Sequence, residues 1–273
     1  MRMISRWVLV ALALAVSAPT LADAQDQECG NFARIVRQAY PNAIAQGERA
    51  VRVGDRTLTL PSPSSINPHA MVCRRWRGQP GLLLVAVPLI AEVGSDSTSG
   101  DLDILVVVEA TGTPRQRLRL AHAMDDDAVR LSSVAFDTAA YRLQPDRLAF
   151  GVRREWEGSS RPNPFRETTL SLYEVRGGRL APVLEDLMVF RSVGEWDLSC
   201  AGQTDVTERI LRMIPGPHGK DISVLERRTH STSSEAKSGE CRTVDRTEAP
   251  NTIRVPFDGE RYVVSGTLKE RLD

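Results

Sequence analysis

Along most of this chain apolar residues recur at every second position, and short turn signals interrupt the alternation at close intervals. A period of two is the side-chain spacing on one face of a β-strand, so a chain patterned this way must solve its burial problem with sheets. Leu148, Phe150, Val152 and Trp156 fall on one parity, interrupted at Arg154, and Ile253, Val255 and Phe257 repeat the pattern near the end. Residues 82–87 and 104–108 are continuous apolar runs, the pattern of central strands covered on both faces. Gly54-Asp55, Gly177-Gly178 and Asp258-Gly259 stand between such segments and predict hairpins.

One helix is expected early, where Phe32, Ile35, Val36 and Ala39 share a face after an Asn31 cap and before Pro41. Residues 182–189 suit a helix or a strand, and residues 61–65 and 192–202 read as loops inside one fold. Residues 152–160 and 224–234 echo each other as strand followed by serine-rich loop, which suggests a repeated antiparallel meander. The expected fold class is all-β, with antiparallel sheets forming a sandwich or curled meander and a short N-terminal helix; a propeller-like arrangement is the alternative.

Residues 1–24 have the pattern of a cleaved export signal. Arg2 and Arg6 precede an apolar stretch of about h-region length, and Ala22-Asp23-Ala24 is a small-x-small cleavage site. The apolar stretch is shorter than the roughly 20 residues needed to span a bilayer. Residues 25–273 are then expected to form a single β-rich periplasmic domain, or an extracellular one. No transmembrane segment is expected in it, because the run over residues 82–91 is short and interrupted by Pro88.

Four cysteines, Cys29, Cys73, Cys200 and Cys241, follow the signal, an even number suited to an oxidising compartment. Three pairings are open. Cys29–Cys73 and Cys200–Cys241 are favoured because each closes a moderate loop within its own end of the chain, at about 4 kcal/mol each on a chain-entropy argument. The spacings fit no zinc pattern, and no C-x-x-C occurs.

Charge narrows the partners. The chain carries 35 basic and 35 acidic residues, and removing Arg2, Arg6 and Asp23 with the signal leaves 33 and 34. Such neutrality argues against bulk attraction to nucleic acid or membrane. All basic residues except Lys220, Lys237 and Lys269 are arginine, a bias that points to a GC-rich bacterial genome. Local arginine groups are therefore the features to weigh. Arg153, Arg154 and Arg161 surround Ser159-Ser160, and Arg74, Arg75 and Arg77 surround Trp76. Either group is a candidate for contact with an anionic envelope component, with Trp76 or Trp156 as a stacking surface.

A second constellation has the residue types of a metal site. His122 stands within six residues of Asp125 and Asp127, and Asp101 and Asp103 lead into the run at residues 104–108. Gly100 and Asp103 resemble the end of the calcium loop of FG-GAP-type propeller repeats. In that resemblance the three earlier ligand positions fall on Ser95, Ser97 and Ser99, which lack carboxylates. The G-x-S-x-G, H-E-x-x-H, P-loop and G-x-G-x-x-G motifs are absent, and no catalytic residue or cofactor is implied. The expectation is a non-catalytic binding or envelope-associated module that engages an envelope or protein partner. An exported hydrolase or metal-dependent enzyme using His122 and Asp125 to Asp127 is the alternative.

Overall fold

The computed structural model describes residues 29–62 and 67–269. The expected export signal lies outside the described residues, as does most of the predicted loop at residues 61–65. The predicted helix forms as α1, Phe32–Ala39, with the Asn31 side chain accepting from the Arg34 backbone N–H at 3.0 Å. It stops just before Pro41, and its Ile35, Val36 and Ala39 are buried.

Among the described residues fifteen strands follow. The first sheet contains β1 (Ile44–Ala45), β2 (Ala50–Val53), β3 (Arg56–Thr59), β4 (Val72–Arg75), β5 (Leu82–Val93), β6 (Thr98–Val108) and β7 (Pro114–Leu120). Its order is β1-β2-β3-β5-β6-β7, with β4 also pairing β5. The second sheet contains β8 (Val129–Gln144), β9 (Arg147–Gly158), β10 (Phe165–Arg176), β11 (Arg179–Trp196), β12 (Gly202–Gly216), β13 (Gly219–Glu235), β14 (Cys241–Thr247) and β15 (Asn251–Val255). It is a meander from β8 to β14, with β15 also pairing β13. Among the described residues the architecture is thus antiparallel all-β, two sheets and one short helix, and not a propeller.

The continuous apolar runs became β5 and β6, and the reason is burial on two sides. Leu84, Ala86, Ile90, Leu102, Ile104 and Val106 face the second sheet, meeting Phe136, Phe150, Val152 and Trp156. Leu83, Val85, Val87, Leu89, Leu105 and Val107 face α1. Trp76, between β4 and β5, packs edge-on against Phe150 with ring centroids 5.1 Å apart.

Beyond this shared core the second sheet curls. Tyr141 and Leu143 of β8 enclose a further apolar cluster with Ile222 and Val224 of β13, Val255, Phe257 and Leu268. Gln144 Nε2 donates to His218 O at 2.9 Å across the closing strands. Buried Arg209 pairs with buried Glu226 at 2.7 Å and also donates to the Leu268 carbonyl, tying a 3₁₀ turn, Gly266–Leu268, against the sheet.

Both favoured cysteine pairs form. Cys29–Cys73 fastens the start of α1 to β4, and Cys200–Cys241 joins the β11–β12 turn to the start of β14. The hairpins at Gly54-Asp55 and Gly177-Gly178 are present. Gly177 and Gly178 have φ of 57° and 76°, as a two-residue turn matched to strand twist requires. Asp258-Gly259 also turns, closed by a bridge between Phe257 and Tyr262. The internal echo is not a repeat: Ser159 and Ser160 sit in the β9–β10 turn, whereas Ser231 to Ser233 are inside β13 and paired on both sides. Residues 182–189 are strand, within β11.

Two outcomes are expected. Trp76→Ala should lower stability by about 3–5 kcal/mol in urea unfolding, since it empties a buried aromatic site in the shared core. The second concerns Asp221, which accepts from Phe257 N–H at 2.9 Å and from Arg254. That N–H and Arg254, working against burial, hold its carboxyl below the usual carboxylate range. The folded protein therefore takes up this proton less readily than the unfolded chain, and the stabilisation is present above about pH 4 and lost as pH falls through the lower folded value. Urea midpoints measured from pH 6 to pH 2 should fall less steeply in Asp221→Asn than in the parent.

Candidate functional site

The acidic residues leading into β6 are part of a strand and are committed to it. Asp103 is fully buried on the α1 side. It accepts from Arg119 at 2.7 and 3.0 Å and from the Tyr40 hydroxyl at 2.8 Å. Arg117 lies over the Tyr40 ring, 4.6 Å from its centroid. Asp101 accepts from the His122 backbone N–H at 3.1 Å. His122 is exposed, with φ of 58°, and its Nδ1 is 2.9 Å from Asp125 Oδ2. Asp125 also accepts from Gly100 N–H, and Asp127 accepts from Val129 N–H. These contacts strap the β7–β8 turn to β6. Among the described residues no three His, Cys, Asp or Glu side chains form a group that could hold a metal ion. The seeming calcium loop is a tight β5–β6 hairpin followed by a buried ion pair.

The arginine groups separate in the same way. Trp76 is 4 % exposed and Trp156 is 1 % exposed, so neither offers a stacking face to a ligand. Arg75 pairs with Glu109 at 2.8 Å, while Arg74 extends β4 beside it. Arg153 pairs with Asp137 at 2.7 Å, and Arg154, the next residue along β9, pairs with Asp186 and sits over Trp156. Successive strand residues point to opposite faces, so these two guanidiniums do not share a surface.

Arg161 differs in its place. Like Arg74 and Arg77 it has no hydrogen bond or ion pair among the described residues, but it lines a cleft of about 830 Å³. The cleft lies between the loop before β4, which contributes Pro68 and His69, the start of β8, and the β9–β10 turn. Its floor is organised by Asp126, whose side chain is fully buried. Asp126 accepts from Thr98 N–H at 2.7 Å and Leu131 N–H at 3.0 Å, and its Oδ1 is 3.3 Å from Arg130 Nε. Arg130 also donates to Thr98 Oγ1 at 3.2 Å, so its guanidinium is held in place before any ligand arrives. His69 Nε2 is buried without a partner among the described residues. Burial lowers the His69 pKa below its ordinary value, leaving the ring neutral at pH 7. A smaller cavity of about 410 Å³ adjoins the same imidazole.

Sequence reasoning reached Arg161, and reached Asp126 only as part of an acidic run read with His122, but not Arg130 or His69, since each is one residue in a different element with no spacing to betray it. It also missed a hydrogen-bonded chain on the β12–β13 face. His230 Nδ1 is 2.8 Å from Asp205 Oδ1, and its Nε2 is 3.2 Å from Thr232 Oγ1. The signal was present in the turn: Gly216 pairs with Gly219, and counting back along that register sets Asp205 opposite His230.

Compared with family models, curated proteins and solved structures, the chain matches none.

Replacing Asp126 by Asn puts an amide NH₂ against one of two buried backbone donors. This should cost about 1–3 kcal/mol, read from urea unfolding. Arg161→Gln should stay within about 0.5 kcal/mol of the parent in the same measurement.

Proposed function

We propose that the protein is a non-catalytic binding module of the cell envelope, exported to the periplasm after cleavage behind Ala24, which takes its ligand or partner in the cleft between the pre-β4 loop, β8 and the β9–β10 turn. The two disulfides support an oxidising compartment. Among the described residues no helix is long and apolar enough to cross a membrane. The observation that carries the reading is the cleft itself. It joins an immobilised guanidinium, Arg130, to an unpartnered one, Arg161, in a concavity within the roughly 300–1,000 Å³ range of small-molecule sites.

Two measurements test it. The N-terminal residue of the exported protein should be Gln25. Ser159 is exposed at the cleft rim, so Ser159→Trp should obstruct the cleft without disturbing the core. Fractionated envelope extract should raise the melting temperature of the parent, by several degrees at about 100 times Kd, and should not raise that of Ser159→Trp. Equal shifts in both proteins would remove the cleft from the account.

A second reading, hydrolysis, is favoured by the Asp205–His230–Thr232 chain, which has the carboxylate–imidazole–hydroxyl order of a nucleophile and its base. Turnover of activated esters that vanishes in His230→Ala would establish it. Turnover indifferent to that change would dismiss it.

A further inference from the structure

Resting on the binding reading above, we infer that the cleft takes a small ligand with an anionic head, carboxylate or phosphate, carried on a short apolar body. Four observations lead there. Arg130 is pre-oriented by Asp126 and Thr98, so a ligand oxygen meets a donor that need not be ordered on binding. Arg161 has no internal counter-ion among the described residues, so an anion would be its first. His69 lines the cleft, and its Nε2 is a buried ring nitrogen with no partner among the described residues, so a ligand group admitted to it by a small shift of the wall would satisfy it. Pro68, Leu131 and Pro164 supply apolar wall beside these donors, more than a bare inorganic ion would use.

The sign of the ligand follows from the acids in the same cleft. Asp126 already accepts from two backbone N–H groups and faces Arg130, so its charge is compensated within the protein. Glu157 lies 3.7 Å from Arg166. A cationic head would meet the unpaired Arg161 guanidinium and only carboxylates already paired with arginine, Asp126 with Arg130 and Glu157 with Arg166. An anionic head meets fork-shaped donors suited to two oxygens at once, a geometry shared by carboxylate and phosphate.

The test is calorimetric titration of the whole chain, disulfides intact, with hexanoate, hexyl phosphate and hexan-1-ol. At least one of the two anions should bind the parent tenfold or more tightly than the alcohol, and whichever binds tighter identifies the head. Arg161→Gln should weaken that anion about tenfold or more while its melting temperature stays that of the parent. Arg130→Lys, which keeps a charge against Asp126, should weaken it as well. Alcohol binding as tight as both anions, or anion binding unchanged in Arg161→Gln, would overturn the anionic head. If the alcohol binds the parent and not Ser159→Trp, the anionic head fails while the cleft stands as a binding site. If every probe that binds the parent binds Ser159→Trp equally, or none binds at all, the inference falls, and the envelope-extract experiment decides the broader reading on its own.

Discussion

The structure depends on the double-sided burial of the β5–β6 hairpin. Most strands of an antiparallel protein need cover on one face only, but residues 83–87 and 104–107 are buried on both. One face is covered by the second sheet. The other is covered by α1, which is too short to hold itself in place by helix propensity and is anchored by its apolar face and by Cys29–Cys73. The cleft follows from this layering, because its lining comes from the loop that leads into β4 on the first sheet and from the rim of β8 to β10 on the second.

Charge is arranged around the same constraint. Buried acids recur, and several face arginine: Asp103 with Arg119, Asp126 with Arg130, Glu174 with Arg147, Glu226 with Arg209. Removing one member of such a pair leaves a desolvated charge, so the pairs constrain register and packing whatever their net contribution to stability. The near absence of lysine fits this use, since a planar fork can satisfy a carboxylate and a carbonyl together, as Arg209 does with Glu226 and Leu268. A guanidinium without a partner is informative where, as at Arg161, it also lines a cleft.

Local features were legible in the sequence because local chemistry determines them. The Asn31 cap, the Gly177-Gly178 turn and the two-sided strands at residues 82–87 and 104–108 each follow from residues adjacent in the chain. A curled meander was expected, but which strands close the curl was not legible, since it depends on β8 meeting β13, contacts such as Gln144 to His218 that span 74 residues. The same limit applied to function. Clustering along the chain drew attention to Arg153, Arg154 and Trp76, but the two arginines are paired with acids and the tryptophan is buried. His69, Arg130 and Arg161 meet only once the two sheets are stacked. The serine-rich stretches misled for a related reason: Ser159 and Ser160 lie in a turn, whereas Ser231 to Ser233 have strands on both sides that their own composition does not announce.

The central claim is that the cleft at the seam of the two sheets is where this protein binds. Amide chemical-shift mapping during titration with hexanoate tests it most directly. Perturbations centred on His69, Asp126 to Ser132 and Glu157 to Arg161 are the predicted result. Perturbations confined to the β12–β14 face, around Asp205 and His230, would contradict it.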